Sequence, residues 1–261
     1  MDDDPGMAGY SDGETLSVLL HAWRERLDPS LGMSQKEVAR RAGVSDRWYR
    51  ELVRGRVANF SSEFLDRLAL ALQLSPGERL VLYLHATGRS PELPAEMAPV
   101  EPVEVDSNLQ RLLDSQFPHP AFVLDRAWNI VGRNDPLLEW FPWVAHEENL
   151  ARWMFLYPDA REQLANWWDD WARPLLSQIR IALARDPECR ILWRILQEIL
   201  DNGDARAIWE TREVMELADG AVRRLRLDHH RCQEVAIQTS EMMLTCRPGA
   251  RFLVLMHEPV A

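Results

Sequence analysis

Apolar positions recur at helical spacing through roughly the first third of the chain, then give way to a different rhythm. Leu16, Leu19, Leu20, Trp23 and Leu27 predict an amphipathic helix over 14–27, which Asp28-Pro29-Ser30-Leu31-Gly32 breaks. Ser34 and Glu37 stand at capping-box spacing and start a second helix at Gln35. Val38, Ala39 and Ala42 give it a small apolar face that admits close packing. Gly43 follows where a left-handed residue is needed, since glycine alone adopts it without a Cβ penalty. Val44 is expected in the core, and Ser45 is placed to cap a third helix running to about Arg54, with Tyr49 and Leu52 on its buried face. After the loop Arg56 to Asn59, Phe64, Leu65, Leu68 and Leu72 mark a fourth helix. Ser75-Pro76-Gly77-Glu78 reads as a second capping box, opening a fifth helix to about Ala86 that Thr87-Gly88 ends. The expectation for residues 14–88 is an all-α domain of five helices.

The flanking stretches read differently. Residues 1–13 are rich in Asp and Gly, with little to bury, and are expected to be disordered. Residues 89–107 hold four prolines and no apolar periodicity, so they read as a semi-stiff linker. Beyond it, Pro120 to Gly132 predicts two short strands about a turn at Asp125-Arg126, and Asn134-Asp135-Pro136 begins a helix. Asn149 to about Asp201 is expected to be helical: a segment NLARWMFL, a long run from Ala160 past Trp171 to Arg185, and Ile191 to Leu200. Strands return from Leu225, clearest at Arg251 to Met256. Strands at both ends with helices between predict an α+β domain over 108–261, built on an antiparallel sheet.

Composition changes this picture in one respect. At 46% hydrophobic and 27% charged residues it is ordinary for a water-soluble chain, and no apolar run reaches the eighteen or so residues of a membrane span. The three cysteines lack metal-ligand spacing and read as reduced thiols in a cytoplasm. The net charge of −11, however, argues against nucleic acid as a partner until its distribution is considered. Residues 34–56 carry seven Lys/Arg against three acids, a net +4, while residues 91–261 hold about −10. A locally positive helix pair on an acidic body is a reading head. Its second helix is expected to present Asp46, Arg47, Arg50, Glu51 and Arg54 to solvent, with Ser45 at its start. Such a helix suits a DNA major groove, where Arg47 and Arg50 meet base edges and Gln35, on the preceding helix, holds a phosphate. One such helix covers few base pairs, so a homodimer on an inverted repeat is expected. The bland alternative, a helix pair used only for packing, leaves three outward arginines without a purpose.

The stretch SQKEVARRAGVSDRWYRELVRGR resembles the phage-repressor-like (XRE) helix-turn-helix domains through Ser34, Gln35, Val38, Ala39, Ala42, Gly43, Val44 and Ser45. It departs from them at Val53, where the family usually has Glu. The rest resembles the ligand-binding domain of MmyB-like transcription regulators. The matching words are Pro120 to Asn134, Asn149 to Trp167 and Arg206 to Val214 (RAIWETREV). Asp219-Gly220-Ala221-Val222 stands where that family usually has HPxxG. The resemblance implies a bacterial transcription regulator with a PAS-like sensor domain, and a cavity of the kind in which that family has been seen to hold a fatty acid.

Nine of the eleven tryptophans lie beyond residue 108. Trp153, Phe155, Trp167, Trp168 and Trp171 read either as ordinary core or as the walls of a cavity, because indoles bury well yet need a partner for the N–H. Arg180, in the apolar stretch LLSQIRIAL, reads either as a snorkelling surface residue or as a cation facing that cavity and gripping a carboxylate. His229, His230 and Cys232 do not make a tetrahedral ligand set, so no metal and no cofactor are expected. No nucleophile-elbow, phosphate-loop, zinc-hydrolase or dinucleotide motif occurs, and an enzyme on a PAS-like scaffold has no residues to name. The remaining alternative to a sensor of a small apolar ligand is a C-terminal domain serving only dimerisation or a protein partner.

Overall fold

The computed structural model describes residues 15–27, 33–57, 60–87, 103–187, 189–215, 220–227, 233–245, 247 and 249–257. The stretch 1–13, most of the linker (89–102), and His229, His230 and Cys232 lie outside the described residues. The chain forms two compact units. One is built on the first five helices and also holds 184–187 and 210–215; the other comprises the sheet and the remaining helices.

The helical unit contains α1 (Leu16–Arg26), α2 (Gln35–Ala42), α3 (Asp46–Val53), α4 (Ser62–Ala71) and α5 (Pro76–Thr87). Leu19, Leu20, Trp23, Val38, Ala39, Tyr49, Leu52, Leu65, Leu68 and Leu82 are all buried in it. Gly43 has φ 72°, and its N–H and that of Val44 turn back to the carbonyls of Ala39 and Arg40, closing α2 in a left-handed cap. Val44 itself is only half-buried. The two capping boxes differ. Ser75 and Glu78 cap reciprocally, at 3.2 and 2.9 Å, and the buried Glu78 carboxylate also takes both guanidinium arms of Arg26, at 2.5 and 3.0 Å. Ser34 accepts from the Glu37 N–H at 3.2 Å, but the Glu37 carboxylate turns instead to Arg40 and Arg41. Two guanidinium partners outweigh one backbone N–H, so the box expected there is half a box.

In the second unit, α6 (Ser107–Asp114) precedes β1 (Ala121–Leu124), β2 (Ile130–Arg133), α7 (Asp135–Trp140), α8 (Leu150–Leu156) and α9 (Pro158–Gln163). There follow α10 (Arg173–Arg185), α11 (Arg190–Leu200), α12 (Gly203–Glu210), β3 (Val222–Leu227), β4 (Gln233–Met243) and β5 (Arg251–His257). The strands form one antiparallel sheet in the order β2–β1–β5–β4–β3. The architecture is therefore a helical domain followed by an α+β domain. Strand alternation divides the packing. Ala121, Val123, Phe252 and Val254 meet α6 through Leu109 and Leu113, while Phe122, Leu124, Leu253 and Leu255 join the main helical core.

Three expectations need correction. The end of the linker is not open chain: Val103 and Val105 pack against the α6 side of the sheet, and Asp106 caps α6 by accepting from the Asn108 and Leu109 N–H groups. The run from Ala160 to Arg185 is not one helix. Pro158 opens α9, which ends at Gln163 with Leu164 extended, and Asn166, with φ 51°, precedes the next turn. Between them Leu164 bridges to Leu225 and the Ala165 N–H donates to the Arg224 carbonyl. The chain re-enters through a π-helical turn, Trp167–Ala172, before α10. Residues 203–210, given no structure by periodicity, form α12, which Asn202 supports by accepting from the Asp204 and Ala205 N–H groups.

Candidate nucleic-acid interface and ligand cavity

Ser45 accepts from the Trp48 N–H at 3.2 Å and sets the start of α3. Trp48, which periodicity left unassigned, is half-buried edge-on to Phe64 at 4.6 Å and ties α3 to α4. Asp46, Arg47 and Arg50 are exposed, and Gln35 is half-buried at the first position of α2. Glu51 departs from expectation. It is half-buried and accepts from Arg54 at 3.0 Å and Arg56 at 3.4 Å, so its carboxylate closes a local ion cluster. Arg54 is exposed but stands at the cap, beyond the last turn of α3.

Pairing sorts the positive charge of 34–56. Arg40 and Arg41 are engaged by Glu37, whose carboxyl their hydrogen bonds hold down at about 2. Arg54 and Arg56 are engaged by Glu51. Among the described residues Lys36, Arg47 and Arg50 have no acidic partner, and Arg50 makes one hydrogen bond, from Nε to the Asp46 carbonyl at 3.2 Å. Arg47 makes none. The cations without an acidic partner therefore lie on the first turn of α2 (Lys36) and on the first and last turns of α3 (Arg47 and Arg50).

The sheet unit holds a cavity of about 110 Å³ between the helices and the sheet face that carries Phe122, Leu124, Leu253 and Leu255. Its aromatic walls are Phe122, Trp128, Phe141, Trp143, Trp153 and Trp171. Trp143 and Trp153 stack in parallel with ring centres 4.2 Å apart. The indole N–H of Trp153 is fixed by Asp159 at 3.1 Å, and that of Trp171 by the Ala165 carbonyl at 3.1 Å. α10 contributes Pro174, Leu175 and Gln178.

Of the residues named from sequence for this site, Trp153 and Trp171 line it and Phe155, Trp167 and Arg180 do not. Phe155 and Trp167 meet edge to face at 5.5 Å within the core, and the Trp167 N–H donates to the Met154 carbonyl. Trp168 is 38% exposed. Arg180 is neither at the surface nor at the cavity: it is 2% exposed and its guanidinium lies on Trp209. The local sequence places it on a helix but does not say which face meets the cavity.

The charged groups at the cavity are Asp170, Arg223, Glu241 and Arg251. A signal for the three on strands was present. Arg223 shares the alternation of the buried Leu225 and Leu227, Glu241 that of Ile237, and Arg251 that of Leu253 and Leu255. Each is a charge continuing an inward-facing register. Arg251 lies 4.5 Å from the Trp128 ring and 3.5 Å from Glu241. Arg223 lies 5.4 Å from the Trp171 ring; burial pushes its guanidinium below the usual range, with Asp170 and Glu241 opposing that shift. Among the described residues no three His, Cys, Asp or Glu side chains gather as metal ligands, and no helix is long and apolar enough to cross a membrane.

Two family models match the chain. One, for the MmyB-like transcription regulator ligand binding domain, covers residues 105–261; the other, a helix-turn-helix domain, covers residues 15–82. No curated protein matches it.

Proposed function

The chain belongs to the MmyB-like transcription regulators, DNA-binding proteins with a ligand-binding domain, and from that premise we propose how each domain acts. The helical domain, taken as 14–88, reads an inverted repeat as one half of a homodimer. Arg47 and Arg50 meet base edges, Gln35 holds a phosphate, and Ser45, Asp46, Glu51 and Arg54 frame the contact. The domain 108–261 senses a small ligand with an apolar body and a carboxylate head, and the protein acts in the cytoplasm without catalysis. Ligand occupancy changes DNA affinity because each binding event carries a differential free energy into the other.

The observation that supports the ligand reading is an aromatic-walled cavity with an arginine at its polar side that forms no ion pair among the described residues. Arg223, not Arg180, is the anchor this reading assigns. The cavity volume of about 110 Å³ suits a small molecule. Burying seven or so apolar carbons at about 0.8 kcal/mol each gives about 5.6 kcal/mol, an affinity on the order of 0.1–1 mM after ordering costs and before the head group contributes.

The test is organic extraction of the purified protein, followed by selection of bound genomic fragments with and without the extract. Recovery of a stoichiometric small acid that shifts fragment binding is the expected result. A protein that yields no ligand, yet binds an inverted repeat as a dimer, favours a C-terminal domain used for assembly alone.

A further inference from the structure

We infer that the cavity takes a ligand with a compact aromatic body and a zwitterionic head, of the chemical class of an aromatic amino acid, rather than a plain acyl chain. This rests on the reading of the α+β domain as a small-ligand sensor and specifies what it senses.

The head follows from two side chains of opposite sign that sense each other's charge without forming an ion pair. Arg223 and Asp170 both line the cavity, and among the described residues neither side chain makes a hydrogen bond or an ion pair. The other two charges there, Arg251 and Glu241, face each other at 3.5 Å. A monoanion engages Arg223 but brings its charge beside the Asp170 carboxylate. A monocation on Asp170 meets the same objection at Arg223. A head with both an ammonium and a carboxylate gives each side chain its complement, and leaves the Arg251–Glu241 pair intact.

The body follows from the walls. Trp143 and Trp153, stacked at 4.2 Å, make a double aromatic wall, and Trp171 is held in place through its N–H. A flat ring meets such walls by offset or edge contacts worth more than the area alone.

The experiment is calorimetric titration of the full chain with L-phenylalanine, 3-phenylpropionate, phenethylamine and octanoate, repeated on Asp170→Asn and Arg223→Gln. Phenylalanine is expected to bind about tenfold or more tightly than either single-charge analogue, the effect of one charge-assisted hydrogen bond. Asp170→Asn should abolish its advantage over 3-phenylpropionate, weakening phenylalanine and tightening 3-phenylpropionate, which then meets no like charge. Arg223→Gln should abolish its advantage over phenethylamine. Octanoate or 3-phenylpropionate binding the unaltered protein as tightly as phenylalanine would overturn the zwitterionic head and leave the acid-sensing function standing. Failure of all four probes also overturns it; an apolar acid in the organic extract then still supports the proposed function, and an empty extract removes both.

Discussion

Arg180 donates through Nη2 to the Trp209 carbonyl at 2.6 Å, with its guanidinium carbon 3.8 Å from the centre of the same residue's ring. One buried cation thus holds the end of α12 to α10 twice over, by hydrogen bond and by ring face. Its surroundings, not the cavity, account for a charge in an apolar helix.

Arg180→Leu should therefore act on stability. The Trp209 carbonyl loses a donor in a buried setting, which costs about 1–3 kcal/mol. Urea unfolding should show a lower midpoint at unchanged slope, and ligand affinity should hold. A selective loss of acid binding with unaltered stability would return Arg180 to the cavity.

Arg47→Ala should weaken the specific site by about 1–3 kcal/mol and relax preference at one base pair. Arg54→Ala should do less, because Glu51 already engages that guanidinium. Competition binding against random duplex separates the two: equal losses on specific and random DNA would make Arg47 a phosphate contact.

Tyr49 supplies a pH dependence. It is fully buried, its hydroxyl has no hydrogen-bond partner among the described residues, and burial pushes its pKa up to about 12, against a small opposing effect of Arg24. The unfolded phenol ionises near its ordinary value of about 10, so stability is full below that pH. It falls as pH rises from about 10 to about 12, by about 2–3 kcal/mol at most. Tyr49→Phe should remove that component of the alkaline fall and raise the melting temperature at neutral pH, since an orphaned hydroxyl is deleted at constant shape. Unchanged alkaline melting in Tyr49→Phe would show the hydroxyl to be hydrated.

Gly132→Ala tests the packing of the linker's end. A Cβ there would stand 2.7 Å from a Val105 methyl and 3.2 Å from Leu113, neither able to swing far. About 1–3 kcal/mol of destabilisation is expected from overpacking. Val105→Ala in the same chain should recover part of it, read by thermal melting.

Where structure is made by neighbours in sequence, the residues alone were informative. Ser45, Gly43 and the Ser75–Glu78 box act within three or four positions, so the helix-turn-helix and its exposed Arg47 and Arg50 follow from order and spacing. The same holds for the hairpin about Asp125, whose carboxylate accepts from the Ala127 and Asn129 N–H groups and from the Asn129 side chain. The tertiary structure alone decided what depends on distant partners. Leu164 breaks the long helix because Leu225, far along the chain, offers a bridge. Arg180 turns from the cavity because Trp209 presents a carbonyl and a ring. A helical period gives every residue a direction around its own axis, but which neighbour waits there is set by packing, and packing chose Arg223 for the cavity instead.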